Sequence, residues 1–212
     1  ANVPVGEGVL TDDSFRYNDI LRATDDGIMA RVKIPKIGVD LPIYHGTSDE
    51  VLLLGAGHLE GSSLPVGGTD THSVITAHRG LANATMFSNL DGVGLGDRFT
   101  IEVFGEVLTY EVRAKEVIDP AETDSLRAEP GRDLVTLITC TPLGINSHRI
   151  VLTGERVTPT PPNDATQAGV APTVPGFPWW AVFAVGGLLI IATYVGRQGF
   201  ADAKLSAARP PR

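Results

Sequence analysis

Cysteine is all but missing from this chain: Cys140 is the only one in 212 residues. A lone thiol excludes an intramolecular disulfide framework, so pairing says nothing about compartment. Positive charge is scarce too. Lys and Arg number 17 against 25 Asp and Glu, a net charge of −8. A chain with nothing to neutralise phosphates in bulk is not expected to bind nucleic acid. No Gly-rich phosphate loop, no Cys/His zinc spacing and no internal repeat can be found, so neither a metal nor a cofactor is expected. The chain begins at Ala1, with no initiator Met and no basic segment leading into an apolar one. It therefore shows no secretory signal and reads as a processed form or a fragment.

Glycine (24) and proline (15) are plentiful, and β-branched apolar runs recur between them. That balance favours a turn-rich β domain over a helical bundle. Residues 1–26 are polar and broken, an arm with a helix expected from Ser14 through Phe15, Tyr17, Ile20 and Leu21. Alternating strands are expected at Ile28–Pro35 and Val39–Tyr44, then a short helix at Asp49–Leu54 started by Ser48 or Asp49. A long Gly-rich connection, Gly55–Thr71, leads to a strand at His72–Ala77 that ends at His78. One or two helical turns are expected at Thr85–Leu90. Asp97–Phe104 and Val107–Arg113, joined by Gly105-Glu106, form the clearest hairpin, which Lys115–Ile118 continues. A helical piece is expected at Ser125–Glu129, and strands at Leu134–Thr139 and Arg149–Leu152 close a domain spanning 27–157. Seven or eight strands with few helices make an all-β, closed or nearly closed barrel.

Residues 158–177 form a Pro/Thr/Ala linker, expected to be extended and stiff. Trp179–Val195 then carries no charge for about 17 residues, the short end of a membrane span. Trp179, Trp180 and Tyr194 sit at its ends like interfacial aromatics, and the expected span is 178–196. A buried core helix is the competing reading. The tail 197–212 holds Arg197, Lys204, Arg209 and Arg212 against Asp202. By the positive-inside rule it lies in the cytoplasm, with the β domain outside and lipid around the helix.

Cys140 lies where one strand ends, and Arg149 opens the next. A lone strand-end cysteine is more often inert than nucleophilic. Here an unpaired thiol outside the membrane asks for a reason, and a cation on the neighbouring strand favours the thiolate. A nucleophilic cysteine needs an acid/base partner, usually histidine. The chain has five. His78 leads, at a strand terminus before Arg79-Gly80. His148 is sent to the face opposite Arg149 by strand alternation. His45 and His58 read as turn residues, solvated or packing, and His72 as an exposed strand start.

Thr136-Leu137-Ile138-Thr139-Cys140, with Arg149 nine positions on, resembles the signature of the sortases. Thr76-Ala77-His78-Arg79-Gly80 resembles the segment that carries that family's histidine. Gly57–Gly68 and Leu41–Gly46 are similar to the corresponding stretches of its class C, pilin-polymerising members, as is the C-terminal span. The resemblance implies that Cys140 attacks the carbonyl between Thr and Gly of an LPxTG-like sorting signal. His78 would then serve as acid and later as base, and Arg149 would hold substrate or the oxyanion. Thr139, Thr141, Leu143 and Ala77 would touch substrate. LPxTG-bearing pilins or surface proteins are the implied partners, with a pilin lysine as acceptor.

One departure stands out. Class C enzymes commonly carry a lid with an Asp-Pro-aromatic motif, and 1–26 holds none; Asn2-Val3-Pro4 and Asp12-Asp13-Ser14-Phe15 come nearest. Either the lid is degenerate or part of it precedes Ala1. Two alternatives remain open: a housekeeping sortase that anchors proteins to peptidoglycan, and a non-catalytic surface domain with a structural cysteine.

Overall fold

The computed structural model describes residues 16–24, 26–82, 84–171 and 179–207, with side chains up to 197. The arm before 16, where any lid motif would fall, lies outside the described residues. Eight strands close a barrel in the order β1-β2-β3-β4-β7-β8-β6-β5, with β5 returning to β1. They are β1 Ile28–Ile34, β2 Val39–His45, β3 Ala56–His58, β4 Thr71–Thr76, β5 Arg98–Val103, β6 Glu106–Ile118, β7 Asp133–Thr141 and β8 His148–Arg156. Two neighbours are parallel, β2 with β3 and β4 with β7. Parallel neighbours need a crossover. For the first pair it is α1 (Asp49–Leu54), capped by Ser48 Oγ accepting from Val51 N–H. For the second it is the long excursion that holds the β5–β6 hairpin.

Strand periodicity puts one face of each strand inside. Ile34, Ile43, Ile75, Phe99, Ile101 and Leu137, among others, are fully buried in the main core. Each contributes roughly 1.5–3 kcal/mol. Phe99 and Tyr110 stack at 5.6 Å between centroids, and a Cβ on Gly154 would fall 2.5 Å from the Phe99 ring. Only glycine lets β8 pass that close. A second, smaller core lies on the outer face: Leu59, Val74, Ile138 and Val151, covered by Ile118 and Leu126.

Four expectations need correction. The Gly55–Thr71 connection contains β3, whose three residues are too few to show a period. Its Gly57 belongs there because a Cβ would meet Gly46 O at 2.3 Å. Of the helix expected from Ser14, the described part is one 3-10 turn, Tyr17–Asp19; Ile20 is already extended, and Leu21 at φ 57° turns the chain further away from helix. The expected helical pieces at 85–90 and 125–129 are 3-10 turns at Leu90–Gly92 and Asp124–Leu126.

The stretch after β8 is not simply extended. A short helix, α2 (Pro162–Ala165), is followed by chain that lies along the barrel. Thr160 Oγ1 donates to Val107 O at 3.0 Å, and Thr109 Oγ1 donates to Asp164 Oδ2 at 2.8 Å. Lys33 Nζ donates to Gln167 O at 2.9 Å, Arg31 Nη1 donates to Val170 O at 2.6 Å, and Gly169 N–H donates to Glu102. A Pro/Thr/Ala stretch cannot build a core, but its carbonyls and one carboxylate find donors on β1 and β6, and its Gly169 N–H finds an acceptor on β5.

Residues from 171 on form a separate unit. Its helix, α3 (Trp179–Ala207), includes an apolar span, Trp179–Arg197, of 19 residues with mean hydropathy 1.8 and none of it buried. At 1.5 Å per residue that is about 28 Å, close to a bilayer's ~30 Å hydrocarbon core.

Candidate functional site

β7 and β8 pair antiparallel in a register that sets Cys140 directly opposite Arg149. The connecting turn is tight: Ile145 and Asn146 both donate N–H to Pro142 O, at 3.1 and 2.9 Å. Asn146 sits at φ 58° and Gly144 at φ 80°, conformations that asparagine and glycine tolerate. Arg149, 7% exposed, turns Nη1 back onto this turn, donating to Asn146 O at 2.9 Å and His148 O at 3.0 Å. Two carbonyls thus orient the guanidinium from one side.

On the other flank β4 runs parallel to β7, with Thr76 paired to Ile138. The ladder goes one step further: Ala77 N–H donates to Ile138 O at 3.2 Å, and Thr139 Oγ1 donates to Ala77 O at 2.9 Å. Extended two residues past the end of β4, that register sets His78 level with Cys140. An imidazole, a thiol and a guanidinium occupy one row across three adjacent strand ends, and Ile118 of β6, paired with Arg149, extends it.

The alternation that sends Leu137 into the barrel sends Ile138 and Cys140 outward. Beside the row, on the outer face, is a small pocket lined by Leu59, Ile118, Pro120, Leu126, Ile138 and Val151 together with Asp119, Glu122, Thr123 and Arg149. None of the apolar lining was singled out from sequence. Leu126 could have been, as a lone leucine in a polar stretch that must fold onto something.

The four expected substrate contacts are placed differently from one another. Ala77 and Thr139 are buried and bonded to each other. Thr141 Oγ1 accepts from Arg79 Nη1 at 2.9 Å. Leu143 is exposed and leans over Gly80, where a Cβ would lie 2.5 Å from its Cδ1.

Three histidines differ from expectation. His72 is not an exposed strand start but 2% exposed. Its Nδ1 donates to Arg127 O at 2.9 Å, so Nε2 accepts from Thr136 Oγ1 at 2.6 Å, and Thr136 accepts from Thr153 Oγ1 at 2.8 Å. Burial lowers its pKa. His45 ends β2, and Nε2 donates to Ile20 O at 2.6 Å. His58 ends β3 and is wholly buried. Because Ser63 O can only accept, His58 Nε2 carries the proton (2.9 Å), leaving Nδ1 to accept from Tyr17 OH at 2.8 Å. Gly46 N–H donates to the same hydroxyl at 3.0 Å, and burial pushes the Tyr17 pKa up to about 12. This clasp ties the arm to β2 and β3. His148, the first residue of β8, is exposed.

Burial holds the His58 pKa down at about 4. Below the ordinary value of about 6.5, the unfolded chain takes a proton that the native chain refuses. Stability from this residue is complete above about pH 6.5 and is lost as pH falls toward 4, by roughly 3 kcal/mol. Melting curves between pH 7 and 4 should show a loss that His58→Gln largely removes. An unchanged acid slope in that variant would assign the loss to other groups.

A closed mixed barrel with thiol, imidazole and guanidinium aligned at its strand ends has the parts of a thiol-dependent acyl-transfer site. Residues 32–157 match the sortase domain family, and the chain belongs to the sortase family. It is similar to sortase D of Bacillus subtilis, 28% identical over 130 residues, 60% of this chain and 63% of that protein. Sortase A of Streptococcus agalactiae is 26% identical over 54% of this chain and 47% of its own length. The chain thus spans between about half and just under two thirds of these relatives. Among solved structures, sortase C-1 of Actinomyces oris is 60% identical with a TM-score of 0.62, covering 63% of this chain and 76% of that one. Sortase C2 of Group B Streptococcus pilus island 1 is 51% identical with a TM-score of 0.60, covering 61% and 74%.

Proposed function

We propose that this chain is a membrane-anchored cysteine transpeptidase that cuts an LPxTG-like sorting signal between Thr and Gly and joins the new end to a pilin lysine. The observation that carries this reading is the pairing of Cys140 with Arg149, with His78 just past the end of β4, the strand that lies parallel to β7. Cys140, as thiolate, adds to the threonine carbonyl carbon, and the oxyanion that forms is met by Arg149. The C–N bond then breaks, and the departing glycine amine takes its proton from the His78 imidazolium. A lysine amine next attacks the thioester, gives its proton to His78 and releases the thiolate. No redox step or cofactor enters this cycle.

Similarity to solved sortase C enzymes, one of them from a pilus island, favours pilin as the substrate class. The apolar helix and the basic tail after it favour a site on the outer face of the membrane, tail inside. The full chain in detergent should give a thioacyl adduct on Cys140 with an LPxTG peptide, read by intact mass. Adding a pilin domain with its acceptor lysine should then give isopeptide-linked ladders. Products with oligoglycine alone would move the protein to peptidoglycan anchoring, and absence of any adduct would end the transpeptidase reading.

A further inference from the structure

Arg79 follows His78 directly, and its side chain is 12% exposed. Each of its guanidinium nitrogens has a partner. Nε donates to Ser88 O at 3.0 Å, Nη1 donates to Thr141 Oγ1 at 2.9 Å, and Nη2 lies 3.0 Å from Asp91 Oδ2. Thr141 follows Cys140 directly. One planar cation therefore joins the residue after the imidazole to the residue after the thiol.

The need for such a brace comes from the fold. β4 ends at Thr76, and the backbone ladder to β7 stops with Ala77 N–H on Ile138 O. His78 is the first residue past it, at the head of a loop that runs to β5. That loop is organised around Arg79: Gly80 N–H donates to Ser88 Oγ at 2.9 Å, and Phe87 N–H donates to His78 O at 3.0 Å. Leu143, lying over Gly80, adds an apolar contact between the same two loops.

We propose that Arg79 is a positioning residue that sets the separation of His78 and Cys140, with Thr141 as its anchor on the thiol strand. The proposal rests on the thiol–imidazole reading above. It gives Thr141 a role different from a substrate contact, because its hydroxyl is already engaged. Lysine at 79 could keep the charge opposite Asp91 but could not reach three acceptors at once.

The test uses the full chain in detergent and two readouts. The first is the pH profile of Cys140 alkylation by iodoacetamide in wild type, His78→Ala, Arg79→Gln and Thr141→Val, each checked for folding by its melting curve. With the brace removed, the Arg79→Gln profile should coincide with that of His78→Ala, and Thr141→Val should move part of the way. The second is steady-state cleavage of an LPxTG peptide. Arg79→Gln should lower kcat about ten- to a hundredfold, as a misplaced group does, with KM within about twofold, and should cost nothing further in a His78→Ala background.

A wild-type alkylation profile in folded Arg79→Gln, or losses that multiply in the double variant, would overturn the proposal. So would identical profiles for wild type and His78→Ala, since no coupling would then exist to be set. Should Arg79→Gln fail to fold, Thr141→Val carries the same comparison. If wild type cleaves no peptide, the transpeptidase reading fails, while the alkylation profiles still decide the role of Arg79.

Discussion

Serine at position 140 is expected to lower peptide cleavage by about four orders of magnitude and to leave no covalent adduct. The row formed by the end of β4, β7 and β8 holds an imidazole, a thiol and a guanidinium, and among the described residues no carboxylate stands in it. A hydroxyl nucleophile depends on a base that is itself oriented and charge-stabilised by a third group, and this row offers a cation in place of one. A thiol needs less help, because a fraction is already thiolate near neutral pH. Cys140 is only half-buried and packs in neither apolar core, so Cys140→Ser should melt within about 0.5 kcal/mol of the parent. Intact-mass spectra after incubation with peptide, alongside melting curves, check both halves. Turnover within tenfold of wild type would remove Cys140 from the chemistry altogether.

How well each part could be read from sequence depended on how local its cause is. The β5–β6 hairpin and the β7–β8 pair are short-range, and β-branched runs bounded by turn residues marked them as strands. Placing Arg149 across from Cys140 needed only a turn between them. Putting His78 beside Cys140 needed more, since about 60 residues separate two strands that pair in parallel, and no spacing rule covers that distance. The sortase resemblance joined them first, and the β4–β7 register now gives the physical reason. Histidine burial was misread for a related cause. His58 is held partly by the Tyr17 hydroxyl, and His72 by the Arg127 carbonyl and the Thr136 hydroxyl, all distant in sequence, and no local pattern announces them. The docking of the stretch after β8 escaped notice because most of its anchors are backbone groups, which every residue has. The brace at Arg79 was equally hidden, since it exists only once β4 and β7 lie side by side.

Arg149→Lys is expected to cut kcat/KM about a hundredfold, near 3 kcal/mol of transition-state stabilisation, while the barrel stays folded. Both of the side chain's hydrogen bonds to the turn leave from Nη1, so the remaining face of the guanidinium is available where charge develops on a carbonyl oxygen bound at Cys140. An arginine held in this way is already oriented when the oxyanion forms. Lysine keeps the charge but has one compact ammonium, which cannot donate to the Asn146 and His148 carbonyls and also present a planar edge to substrate. If it bonds the turn it abandons the oxyanion, and if it reaches the oxyanion the turn loosens. The loss should therefore fall mainly on kcat, since the contact strengthens as the transition state forms. Peptide cleavage kinetics with a melting curve measure both. A variant as fast as its parent would reduce the guanidinium to a brace for the turn and leave the oxyanion to backbone donors near Cys140.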